Sequence, residues 1–135
     1  MIVYAVENIG DSWAETSVYL ERHWAETCGT EAYRPDIDRE AYERLQAAGA
    51  LLFITARDDG KLVGYQGTLI SYHLHSRHTL CALSDVYYLD PAYRNGRTGI
   101  RMLQRTEDEL RRLGVKRYLI ATETRNDKSA ILERM

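Results

Sequence analysis

Three β-rich runs in succession, then a proline stop, an amphipathic helix and one more apolar run, constrain this chain more than any other feature. Leu51 to Arg57, Leu62 to Tyr72 and about Thr79 to Leu89 are rich in apolar, β-branched and aromatic residues and read as strands. Asp58-Asp59-Gly60-Lys61 is a tight-turn signal, so the first two form an antiparallel hairpin. The polar link His73 to His78 predicts a second reversal. Pro91 stops the third strand, and Gly99 to Leu113 then reads as a helix, amphipathic through Leu103, Leu110 and Leu113 and terminated by Gly114. Arg117 to Thr122 is a final strand of buried character. A strand, helix, strand connection forces a parallel crossover, normally right-handed, so the sheet must be mixed.

The rest of the chain completes the order. Ile2 to Val6 is a short strand. Asp11 or Ser12 caps a first helix, with Glu15 three residues after Ser12 as in a capping box. Trp13, Val18, Tyr19, Leu20, His23 and Trp24 supply its apolar bulk, and Gly29 follows its end. Pro35 and Asp36 open a second helix through about Ala48, with Ile37, Ala41, Leu45 and Ala48 near helical spacing. Asn126 or Asp127 caps a last helix that runs to Met135. The expected architecture is β-α-α-β-β-β-α-β-α, an α/β (α+β) fold with a mixed, twisted sheet flanked by helices. Its 135 residues, without repeats, fit a single domain spanning 1–135.

Charge and composition exclude several classes of function. A net charge of −2 offers no basic field for nucleic acid or an anionic membrane. No apolar run is long enough to cross a bilayer, and Met1 to Glu7 lacks a secretory pattern, so a cytoplasmic protein is expected. Cys28 and Cys81, well separated, suit a reduced compartment. His73, His75 and His78 alternate, but neither cysteine has ligand spacing to them. No metal is expected, and these histidines fit an acceptor pocket or loop surface better. Trp13 and Trp24, three helical turns apart, are read as core.

The chemistry concentrates in Asp85-Val-Tyr-Tyr-Leu-Asp-Pro-Ala-Tyr-Arg94-Asn-Gly-Arg-Thr-Gly99-Ile-Arg-Met-Leu103. It reads as a strand, a proline stop, a loop with two glycines and two arginines, then a helix. Glycines let backbone N–H groups turn toward an anion, a helix N-terminus adds about half a positive charge, and Arg94 and Arg97 add full ones. This is a cradle for a pyrophosphate. Taken alone, Asn95-Gly96 is equally a simple turn, with the arginines on a solvated face.

In context, the segment resembles the acetyl-CoA-binding motif of the GNAT (GCN5-related N-acetyltransferase) superfamily, Arg/Gln-x-x-Gly-x-Gly/Ala. Arg94 matches its first position, Gly99 its last, and Tyr87 to Arg94 the preceding strand and loop. The order of elements also matches over nearly all residues. Two departures stand out: Arg97 replaces the middle glycine, with Gly96 beside it, and the chain ends before the family's closing strands, as if C-terminally truncated. Such an absence would expose an edge that a partner, including a second copy in a homodimer, could cover.

The resemblance implies specific roles. The backbone of Tyr87, Tyr88 and Leu89 would pair with the pantetheine arm of the coenzyme, with the Leu89 N–H polarising the thioester carbonyl. Backbone amides of Arg94, Asn95, Gly96, Arg97, Thr98, Gly99 and Ile100 would hold the pyrophosphate. Asn126 matches the asparagine that opens the family's last conserved helix, with Ser129 nearby. Asp85 is the first candidate general base and Glu123 the second, although a structural or solvated carboxylate fits Asp85 equally well. Strict alternation puts Asp85, Tyr87 and Leu89 on one face, and a bulge would break that parity. The tyrosine that relatives use as general acid is missing from the last helix, leaving Tyr88 or Tyr93 as substitutes, or departure of the coenzyme A thiolate without a protein acid, while most of the ten tyrosines are explained as packing.

The implied reaction transfers an acetyl group from acetyl-CoA to a primary amine by direct attack in a ternary complex. The alternative is a non-catalytic coenzyme A-binding or protein-interaction module of the same fold. Nothing in the sequence identifies the acceptor, although Glu26, Glu31, Asp36 and Asp38 give its expected surroundings an acidic character, which solvated surface charge explains more simply than a cationic amine does.

Overall fold

Five strands pair in the order in which they occur along the chain. Strands β1 (Ile2–Val6), β2 (Leu51–Asp58), β3 (Lys61–His73) and β4 (Ser76–Leu89) form an antiparallel meander, and β5 (Arg117–Leu119) lies parallel to β4. This is the expected mixed sheet. The computed structural model describes residues 1–27, 36–121 and 129–133. The β2–β3 reversal is tight because both of its central residues take positive φ, Asp59 at 48° and Gly60 at 88°.

Helices α1 (Trp13–Thr27) and α2 (Arg39–Ala47) cover one face of the sheet, and α3 (Thr98–Arg112) covers the other. Period-two alternation in β2 feeds both cores. Leu51 and Phe53 join Tyr19, Leu20, Tyr65 and Tyr88 under α1, while Leu52, Ile54 and Ala56 join Met102 and Leu110 of α3. Being buried on both faces, β2 reads as a near-continuous apolar run.

Two helix starts differ from expectation. Asn8 Oδ1 accepts hydrogen bonds from the backbone N–H groups of Gly10 (2.9 Å) and Asp11 (3.3 Å). The Ser12 hydroxyl donates back to the Asn8 and Ile9 carbonyls, and Glu15 accepts from Arg57 Nη1 at 3.0 Å. A guanidinium thus takes the carboxylate that a capping box would give to a backbone amide, because a charge-assisted bond is the stronger. Helix α2 begins at Arg39 rather than at Pro35-Asp36, since Asp38 is its N-cap, accepting from the Ala41 N–H at 2.9 Å. Gln46 then ties α2 to the chain after β1, donating to the Glu7 carbonyl and accepting from the Ile9 N–H, both at 2.8 Å.

A short 3₁₀ turn, Pro91–Tyr93, capped by Asp90, connects β4 to the loop before α3. Strand β5 is only three residues long and has Arg117 and Leu119 exposed, so it is not the buried strand expected from 117 to 122, and Thr122 lies outside the described residues. A last helix, α4, spans Ser129–Glu133, and the expected caps Asn126 and Asp127 lie outside the described residues. No described helix is long and apolar enough to cross a membrane.

Candidate active site

The site is built by an irregularity in β4. Gly67 of β3 stands opposite Val86, but Thr68 stands opposite Ser84, so Asp85 is an extra residue in a bulge. The bulge resets the alternation: Ala82 and Tyr87 both pack on the α3 side, whereas Val86 and Tyr88 pack under α1 and α2. Asp85 and Tyr87 therefore do not share a face, which corrects the strict-alternation reading. The Asp85 carboxylate instead accepts a 2.6 Å hydrogen bond from the Tyr42 hydroxyl of α2.

Described pairing with β5 ends just before the bulge. β5 pairs with β4 only at Cys81–Leu83, through Arg117, Tyr118 and Leu119. Beyond Leu83, no described strand pairs with the outer edge of Ser84–Leu89. Apart from the Leu89 carbonyl, which accepts from Arg94, the outward backbone groups of this edge have no strand partner among the described residues.

That edge leads to the N-terminus of α3. The N-cap residue Arg97 makes no side-chain capping bond, and the first turn holds no acidic side chain, so the leading N–H groups are uncapped. The two loop glycines have unequal roles. A Cβ on Gly99 would lie 2.5 Å from the Tyr87 hydroxyl, 3.6 Å from Ile131 Cδ1 and 3.7 Å from Leu89 Cδ2, so only glycine fits without movement. At Gly96 a Cβ would meet nothing within 4 Å. Arg97 adopts ordinary backbone angles, φ −99° and ψ 4°, so the position needs no glycine, which accounts for the departure from the motif.

Arg94 spans the opening. Its Nε donates to the Leu89 carbonyl at 2.7 Å, and its Nη2 donates to both carboxylate oxygens of Glu26 in α1, each at 3.0 Å. Its guanidinium carbon also sits 5.2 Å from the centre of the Tyr88 ring. The resulting cleft, about 220 Å³, is walled by Tyr87, Tyr88 and Leu89 of β4, by Arg94, Gly96 and Gly99, by His23 and Glu26 of α1, and by Ile131 of α4.

Burial keeps the tyrosines of this region protonated. Burial, and then the hydrogen bond to Asp85, raises Tyr42 well above an ordinary phenol. Burial pushes Tyr87 up to about 12 against the opposing charge of Arg94. The fully buried Tyr65 hydroxyl has no hydrogen-bond partner among the described residues.

The structure thus brings Tyr87, Tyr88, Leu89, Arg94, Gly96 and Gly99 together around one cleft. Asn95, Gly96 and Arg97 are exposed, while Thr98 and Ile100 open α3. Asp85 lies on the α2 side of the same strand. Glu123, Asn126 and the side chain of Ser129 lie outside the described residues. Tyr93 is not at the cleft: its hydroxyl donates to Asp58 at 2.7 Å, so it does not serve as an acid there. The three histidines line the β3–β4 turn and its approach: His73 Nδ1 accepts from the His75 N–H at 3.0 Å, and His75 and His78 are exposed. Among the described residues, no group of three side chains converges as metal ligands. Sequence reasoning passed over His23 and Tyr42 as site residues and read Glu26 only as part of the acidic surroundings of the acceptor. They come from helices 43 to 68 positions away from their partners, and no local pattern marks them.

The sequence profile described as the Acetyltransferase (GNAT) family matches residues 16–132, from α1 through α4. The chain belongs to that family. Solved structures agree on the GNAT fold. A possible acetyltransferase from Clostridium difficile 630 superposes with a TM-score of 0.79 at 14% identity, covering 99% of this chain and 88% of the other. A ribosomal-protein-alanine N-acetyltransferase from Brucella melitensis biovar Abortus 2308 gives 0.76 at 17% identity, covering 100% and 90%. A predicted acetyltransferase from Clostridium acetobutylicum, solved with acetyl-CoA, gives 0.73 at 13% identity, covering 99% and 88%. At these identities the likeness is one of fold. No curated protein matches by sequence.

Proposed function

We propose that this GNAT protein transfers an acetyl group from acetyl-CoA to a primary amine, and that residues 1–135 act as one acyl-CoA-binding domain. The observation that carries this reading is the edge of Ser84–Leu89, which has no strand partner among the described residues, leading to the N-terminus of α3, whose N-cap side chain makes no capping bond. An extended pantetheine arm fits such an edge as an added strand, and a diphosphate fits such a helix end. Bound acetyl-CoA supplies the activated thioester.

The chain's own residues do the rest. Backbone groups of Tyr87, Tyr88 and Leu89 align the arm, and the Leu89 N–H polarises the acyl carbonyl. The amides from Arg94 to Ile100, with the Arg94 and Arg97 charges, hold the diphosphate, and Gly99 keeps backbone and ligand close. Asn126 and Ser129 complete the wall from the last helix. Asp85 takes a proton from the acceptor ammonium, directly or through water, with Glu123 as the second candidate base; the freed amine forms the C–N bond, the C–S bond breaks, and the departing coenzyme A thiolate takes up the second amine proton. The 2.6 Å bond from Tyr42 occupies Oδ2 of Asp85 and fixes the carboxylate, leaving Oδ1 for the acceptor.

Calorimetric titration with acetyl-CoA and with coenzyme A tests the cleft. Micromolar binding that is lost in Gly99→Glu is expected, and an unchanged affinity in that variant removes the site assignment. Thiol release with a panel of amines then tests turnover, expected to fall at least about tenfold in Asp85→Asn. Binding without turnover on any amine would favour the non-catalytic module instead.

A further inference from the structure

We propose that the Glu26 carboxylate, the face of Tyr88 and the Leu89 carbonyl form a subsite for a cationic group of the acceptor, ammonium or guanidinium, which Arg94 fills until the coenzyme binds. The proposal rests on the coenzyme reading above. The subsite is visible because a cation already occupies it. The Arg94 guanidinium has both oxygens of Glu26 at 3.0 Å, the Leu89 carbonyl at 2.7 Å and the Tyr88 ring at 5.2 Å. A carboxylate, a carbonyl and a π face around one point are the three ways a protein recognises a positive charge.

Arg94 also stands two residues before Gly96 and four before Thr98, the first residue of α3, where the diphosphate is proposed to bind. A diphosphate competes for a planar guanidinium, which matches phosphate oxygens as well as it matches a carboxylate. The exchange is energetically easy. The Arg94 and Glu26 side chains are 40% and 35% exposed, and ion pairs open to water contribute little net stability.

Once Arg94 has turned to the diphosphate, Glu26 keeps, among the described residues, the Tyr88 hydroxyl at 3.4 Å. A carboxylate on a cleft wall beside an aromatic face is then short of a counter-charge. A neutral acceptor leaves it so, whereas a cationic one restores the contact that Arg94 gave up. Coenzyme binding therefore creates the acceptor subsite, and the acceptor enters second. The substrate class that follows is an amine with a positive group available to Glu26.

The probe is 4-aminobutylguanidine, titrated calorimetrically into the full chain with and without saturating coenzyme A, for the native protein and Glu26→Gln. The expected result is probe binding at least about tenfold tighter in the presence of coenzyme A, with that gain lost in Glu26→Gln. The same variant should bind coenzyme A about threefold more tightly, since its competitor for Arg94 is weakened, and bind pantetheine, which has no diphosphate, as the native chain does. Equal probe affinity with and without coenzyme A, no probe binding, or a gain that survives in Glu26→Gln overturns the subsite while leaving coenzyme binding intact. Failure of coenzyme A to bind either protein overturns the coenzyme reading and the subsite together. Far-UV circular dichroism confirms that the variant is folded, as expected for a partly exposed pair.

Discussion

Replacing Gly99 by alanine separates stability from function at the cleft. The added Cβ would stand 2.5 Å from the Tyr87 hydroxyl, while Ile131 and Leu89 remain at ordinary contact distances. To regain normal contact the hydroxyl must retreat by roughly 1 Å. It is the far end of a side chain, so its retreat strains no backbone, and the open space beside it is the cleft that Tyr87 and Gly99 both line. Overpacking of this kind costs about 1 kcal/mol, and the better helix propensity of alanine offsets roughly half of that. Stability should thus change by less than about 1 kcal/mol in urea denaturation. The displaced hydroxyl and the new methyl both intrude where the diphosphate is proposed to bind, so coenzyme affinity should fall about tenfold or more. Tyr87→Phe removes the atom in conflict, and in that background Gly99→Ala should lose much less affinity, a coupling that a double-mutant cycle measures. Unchanged coenzyme affinity in Gly99→Ala, or an equal loss in both backgrounds, refutes this account of Gly99.

Other perturbations follow from the same geometry. Tyr42→Phe removes the 2.6 Å bond that orients Asp85 and should lower kcat about tenfold with the KM for acetyl-CoA unchanged; an unaltered kcat removes Asp85 or its orientation from the mechanism. Glu7 is held below its usual value of 4.5, first by hydrogen bonds from Arg57. A lowered folded-state value stabilises the fold above that pH and the benefit fades as pH falls through it, so the melting temperature should be flat above about pH 6 and decline below about pH 4.5. Arg57→Met should lower stability by about 2 kcal/mol at neutral pH and make the acid slope shallower; an unchanged slope would assign the acid sensitivity to other carboxylates. Gln66 is fully buried, accepts from Thr106 at 2.9 Å and donates to the Tyr118 hydroxyl. Gln66→Leu should therefore cost about 2 kcal/mol in chemical denaturation, and a neutral result would mean that Tyr118 finds water instead.

Much of the fold was legible because its determinants are local. Turn chemistry at Asp59-Gly60, the stop at Pro91, helical periodicity from Gly99 to Leu113 and the apolar runs of β2 and β3 each act within a few residues, and they fixed the element order, the hairpin and the parallel crossover. The phosphate-cradle segment was legible for the same reason: Arg94 and Gly99 occupy one short loop and the turn of helix after it. Boundaries that depend on competition were less so. Glu15 reads as a capping-box partner until Arg57, 42 residues away, claims its carboxylate.

Tertiary structure alone decided the face on which each β4 side chain lies. Alternation is a property of an unbroken strand, and the bulge at Asp85 exists because β3 and β4 pair on either side of it in registers that differ by one. With that slip come the pairing of Asp85 with Tyr42 and the opposite placement of Tyr87. The Arg94–Glu26 bridge was equally hidden, since it joins a loop to a helix 68 residues earlier. Sequence determined which pieces form, because propensity and periodicity are short-ranged. The sheet determined which of their side chains meet, because pairing register and helix docking are set only when distant segments pack.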